Sequence, residues 1–77
     1  MKYRDHRGSL EASMLSVREM PNRAALVEHL RETYGRHELV RDDLIEVKHY
    51  CYDERIGWDT WIVTLNGGAV GFTDGPL

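Results

Sequence analysis

One cysteine, two prolines and one phenylalanine are all this 77-residue chain has of those types. Each scarcity excludes something. A lone Cys51 cannot close an internal disulfide, and with no second thiolate there is no cysteine-based zinc site. That usage fits a reducing, cytoplasmic setting. No apolar run approaches the ~20 residues of a membrane span, and "MKYRDHRGSL" lacks an apolar stretch of signal-peptide length. A soluble protein with no membrane partner is expected. With no repeat, low-complexity segment or Pro/Ser-rich linker, residues 1–77 read as a single domain in which 1–10 form an extended N-terminal arm.

What is present is 42% hydrophobic and 30% charged. A chain this short buries only about 60% of its unfolded surface, enough for one helix on one small sheet, so association with a protein partner or a second copy is an open route to stability. The net charge is -3. Lys2, Arg4 and Arg7 against Asp5 leave residues 1–8 at +2 and the rest at -5. An acidic body repels nucleic-acid backbones, and three basic residues do not reverse that.

The segment 12–20, "ASMLSVREM", alternates imperfectly and predicts a strand. "PNRAALVEHLRETYG" predicts a helix over 23–34, because Asn22 is a good N-cap, Gly35 suits the left-handed residue past the end, and Ala24, Val27, Leu30 and Tyr34 recur at helical spacing with Leu26 alongside. Arg23, Glu28, Arg31 and Glu32 solvate its other face, and 36–43 read as a polar connection. Strands follow at about 44–52, 58–65 and 69–74. Asn66-Gly67 predicts a type I′ hairpin, which would pair Val63 with Val70 and Trp61 with Phe72.

The hairpin inside "YCYDERIGWDTW" poses a parity problem. A four-residue loop, 54–57, pairs Asp53 with Trp58 but turns Glu46 and Lys48 toward the core, which buries charge. An odd loop instead pairs Val47 with Val63 and Ile45 with Leu65. On that register the helix-covered face carries Ile45, Val47, His49, Cys51, Trp61, Val63, Leu65, Val70 and Phe72. The opposite face carries Glu46, Lys48, Tyr50, Tyr52, Trp58, Thr60, Ile62 and Thr64. The expected architecture is α+β in the order β-α-β-β-β, a mainly antiparallel sheet with one helix on one face.

Little in this list looks catalytic. His49, Cys51 and Asp53 recur at i, i+2, i+4, but a metal site would need a further ligand from His6, His29 or His37, which nothing places nearby. A Cys51–His49 nucleophile and base would lack an orienting third group and oxyanion donors. There is no GxSxG elbow, the glycines at 67, 68, 71 and 75 precede no helix that could receive a phosphate, and Asp42-Asp43 are adjacent loop acids. No catalytic residue, metal ligand or cofactor is assigned. Tyr50, Tyr52, Trp58 and Ile62 stand out as a partner-binding face, since Tyr and Trp are enriched at protein interfaces. The same aromatics with Lys2, Arg4 and Arg7 could serve nucleic acid, although the charges around them are mixed. In the blandest alternative the N-terminal segment, through Tyr3 and Leu10, folds over this face.

The end-to-end pattern "YRDHRGSL", "YDERIGWDTWIV" and "GFTDGPL" resembles a group of small bacterial proteins of unknown function often met in phage and prophage genes. The resemblance implies a compact α+β domain and a phage or prophage origin, and no activity. The expected function is that of a small non-enzymatic protein-interaction module; a nucleic-acid accessory role is the alternative, and a metal- or thiol-dependent enzyme at His49/Cys51 the weaker one.

Overall fold

A computed structural model describes residues 1–35 and 38–77. Its elements are β1 (Lys2–Asp5), α1 (Leu10–Leu15), β2 (Arg18–Glu19), α2 (Arg23–Tyr34), a 3-10 turn at Asp42–Leu44, β3 (Ile45–Asp53), β4 (Trp58–Leu65) and β5 (Gly68–Thr73). The strands form one sheet in the order β2-β1-β5-β4-β3, every neighbour antiparallel. The α+β class and the three C-terminal strands match the sequence reading. Residues 36 and 37, part of the expected polar connection and including His37, lie outside the described residues. Among the described residues no helix is long and apolar enough to cross a membrane.

The N-terminal third differs from expectation. The predicted strand at 12–20 is a short helix followed by a two-residue strand, because Ser9 caps the helix by accepting from the Ala12 amide at 3.1 Å. Nor are residues 1–10 a free arm. β1 lies inside the sheet between β2 and β5, and Tyr3 on it is fully buried.

α2 begins and ends as its caps dictate. Asn22 accepts from the Ala25 amide at 2.9 Å, and Gly35, at φ +63°, donates its amide to the Arg31 carbonyl at 2.8 Å. Its buried stripe is Leu26, Val27, His29 and Leu30, rotated from the predicted one so that Ala24 and Tyr34 are exposed. Leu26 and Leu30 meet Tyr3, Ile45 and Val63 of the sheet, with Met20 and Val40 closing the core.

Two bulges set which side chains face the helix. At the β3-β4 turn the loop is the four-residue one, with Asp53 opposite Trp58, yet Val47 still pairs with Val63 and Ile45 with Leu65. The parity conflict vanishes because the ladder slips between His49 and Cys51, leaving Tyr50 as the extra residue. Cys51 is thereby opposite Thr60 and on the face away from α2, and Tyr52, opposite Asp59, is on the α2 side. At the β4-β5 hairpin Asn66 (φ 49°) and Gly67 (φ 85°) make the predicted turn, and Leu65 pairs with Gly68. One step further the ladder slips again, so Val63 faces Gly71, Ile62 faces Phe72 and Trp61 faces Thr73. The expected Val63–Val70 and Trp61–Phe72 pairs are not formed, and Phe72 joins Cys51 on the open face.

Candidate functional site

The sheet face opposite α2 holds a cleft of about 610 Å3. Its floor is formed from Arg4 on β1, Phe72 on β5, Thr60 on β4 and Cys51 on β3. Residues 6–10 and Ser13 of α1 make one wall, so the N-terminal segment covers only part of this face. The end of β3 and its turn, from Tyr50 to Arg55, make the other wall.

Arg4 is the centre of the site. It is 5% exposed, and its guanidinium carbon lies 4.3 Å from the Phe72 ring centroid and 5.3 Å from that of Trp58. A cation stacked on two rings is attracted to their electron-rich faces and held in one plane. Nη1 donates to Ser13 Oγ at 2.6 Å, and Ser13 in turn donates to the Asp5 carbonyl at 2.8 Å, which ties α1 to β1. Nε is buried without an acceptor. Burial holds the Arg4 guanidinium below its usual range, an effect opposed by nearby Asp53. The group still stays cationic near neutrality, as arginines do.

The cleft's other arginines are paired, and Glu54 is in no ion pair among the described residues. Arg55 grips Asp53 through Nε (3.0 Å) and Nη2 (2.7 Å), and hydrogen bonds from Arg55 hold the Asp53 carboxyl below the usual carboxylate range. Arg7 pairs with Asp5 at 3.0 Å. Among the described residues no ion pair includes Arg4. His6 stands edge-on to Phe72, 5.6 Å between centroids.

Of the four residues expected at a binding face, Tyr50 and Tyr52 are 66% and 61% exposed and border the cleft. Trp58 is 7% exposed, packed beneath Arg4 rather than offered to solvent, and Ile62 is half-buried outside the cleft lining. Sequence reasoning missed Arg4, which it treated as part of a basic arm. No local signal marked it, since the strand Lys2–Asp5 has Tyr3 as its one apolar residue.

His49 and Cys51 do not come together. The slip between them leaves His49 on the α2 side, 2.8 Å from Asp59 and edge-on to Trp61, with Cys51 on the cleft side. Among the described residues no three His, Cys, Asp or Glu side chains group as metal ligands. A second polar cluster lies at the sheet edge: His29 Nε2 is 3.2 Å from Asp5 Oδ1, and its Nδ1 is 3.3 Å from Arg18 Nη1. Since arginine only donates, Nδ1 accepts and Nε2 carries the proton given to Asp5. What the site offers chemically is a fixed cation outside any ion pair among the described residues, in a cleft bordered by tyrosines. No family model matches this chain, and no curated protein or solved structure matches it either.

Proposed function

We propose that this protein is a non-enzymatic binding module that engages a partner protein at the end of β3, where Tyr50 and Tyr52 border the cleft and serve as its contact side chains. One observation carries the reading: two tyrosines, each more than half exposed, lie along one wall of a preformed cleft. Exposed tyrosine offers large contact area at small conformational cost and a hydroxyl that tolerates water before binding. Trp58, expected among the contacts, acts instead from beneath by holding Arg4 in place.

A nucleic-acid role draws less support. Of the three basic residues it would use, Arg4 is held between two rings at the cleft floor and Arg7 is paired with Asp5, which leaves Lys2 alone to follow a phosphate backbone.

The test is a Tyr50→Ala/Tyr52→Ala variant. Both side chains are exposed, so cooperative unfolding should be preserved. Solution mass across a concentration series and the set of proteins captured by the immobilised chain should both be compared with wild type. A variant that matches wild type in both measurements overturns the proposal.

A further inference from the structure

We infer that the cleft recognises a carboxylate, and that its occupant is an acidic side chain in a segment of the partner protein, bound by Arg4. This deepens the binding-module reading and rests on it.

Arg4 is a buried cation that is in no ion pair among the described residues, although Asp53 lies near enough to act on it. Such a group is costly to hold in a fold unless it is stacked, hydrogen-bonded or paired. The Phe72 and Trp58 rings and Ser13 compensate part of that cost. The Nε donor has no acceptor, and no carboxylate among the described residues is ion-paired with the guanidinium. The side chain nevertheless lines a cleft open to solvent. A planar guanidinium fixed between rings, with one nitrogen tied to Ser13, is preorganised for an incoming anion.

The surroundings select the kind of anion. Arg7 and Arg55 are spent on Asp5 and Asp53, so among the described residues Arg4 is the one cation of the cleft outside an ion pair, and Glu54 the one acid. Asp53 and Glu54 also line the cleft, and the chain as a whole carries -3. A monoanion fits this balance. A phosphate dianion or a nucleic-acid backbone would bring excess negative charge against two acids with too few free cations to meet it. The volume, about 610 Å3, exceeds what one carboxylate fills and lies in the ordinary range for bound ligands. An acidic residue together with its chain neighbours occupies such a space, with Tyr50 and Tyr52 beside it.

The experiment uses the full chain labelled with 15N and follows the Arg4 Nε–H signal, which burial protects from rapid exchange. The probe is an N-acetylated, C-amidated pentapeptide with a central glutamate, compared with its glutamine counterpart. The glutamate peptide should shift the Arg4 signal saturably, and the glutamine peptide should bind about tenfold more weakly or worse, the range expected when a charge-assisted hydrogen-bonded pair is lost. Arg4→Lys should weaken the glutamate peptide by a similar factor, while Arg41→Gln, at an exposed arginine paired with Asp43, should leave binding unchanged. If Arg4→Lys fails to fold, the comparison of the two peptides on the wild-type chain decides alone. Equal effects from the two peptides, or none from either, overturn the inference. So does tighter, steeply salt-dependent binding of inorganic phosphate or an eight-nucleotide oligo-dT. A silent Arg4 signal combined with partner loss in the tyrosine variant removes carboxylate recognition and leaves the binding module standing. Carboxylate binding combined with a tyrosine variant indistinguishable from wild type does the reverse.

Discussion

The Tyr3 hydroxyl group occupies the space that a side chain on Gly71 would need: a Cβ built there lies 2.3 Å from the Tyr3 oxygen, and 2.4 and 2.5 Å from ring carbons Cζ and Cε2. The slip in the β4-β5 ladder is what brings Gly71, rather than Val70, opposite Val63 and under that ring. Gly71→Ala should therefore destabilise the fold by about 2 kcal/mol or more, in the manner of an overpacked core, measured by urea unfolding. Adding Tyr3→Phe should not rescue it, because the ring carbons clash as badly as the oxygen.

Asp5 links stability to pH. Burial alone would raise its carboxyl, but hydrogen bonds from His29 and Arg7 outweigh burial and hold it below the usual carboxylate range. A carboxyl whose folded pKa is depressed adds stability that is complete above its unfolded pKa, about 4, and is lost as pH falls through the folded value. Stability in urea should fall from pH 5 toward pH 3, and the slope should be shallower in Asp5→Asn. Equal slopes in the two proteins would show that other carboxylates account for the acid sensitivity.

The helix, the three C-terminal strands and the Asn66-Gly67 turn were legible because each is specified locally, by caps, alternation and turn chemistry. The cleft was not, because its composition depends on two bulges. Each slip reverses which face later residues occupy, so a register traced outward from one turn misplaces Cys51 in β3 and Phe72 in β5. The choice between loop lengths rested on an unbroken ladder. With Tyr50 inserted, the four-residue loop and the apolar pairs are compatible. Arg4 was hidden for another reason: a four-residue strand of mostly polar residues carries little periodic signal, and its place between β2 and β5 is a long-range fact.

The role of Tyr50 as the extra residue in β3 is testable. Deleting Tyr50 removes the bulge while permitting every pair around it, His49 with Trp61 and Cys51 with Thr60 included. The deletion variant should fold cooperatively, with amide nuclear Overhauser contacts still joining Asp53 to Trp58. Loss of the Asp53–Trp58 contact in a folded variant would mean that the turn, not the bulge, absorbs the length change.

Ser13 and Arg4 should be energetically coupled. Ser13 is 2% exposed and is the one hydrogen-bond acceptor that the Arg4 guanidinium has among the described residues. Ser13→Ala deletes that acceptor and leaves Nη1 facing a methyl group in a site where Nε already lacks a partner. The cost should be about 1–3 kcal/mol, the range for stranding a buried donor. In Arg4→Met the cation is gone and a thioether chain still packs on Phe72 and Trp58, so Ser13→Ala there should lose only its bond to the Asp5 carbonyl. The double-mutant cycle should return a coupling of at least 0.5 kcal/mol, as directly contacting pairs do. A coupling near zero would mean that the Arg4–Ser13 bond adds nothing to stability and that the two aromatic rings alone hold the guanidinium in the cleft.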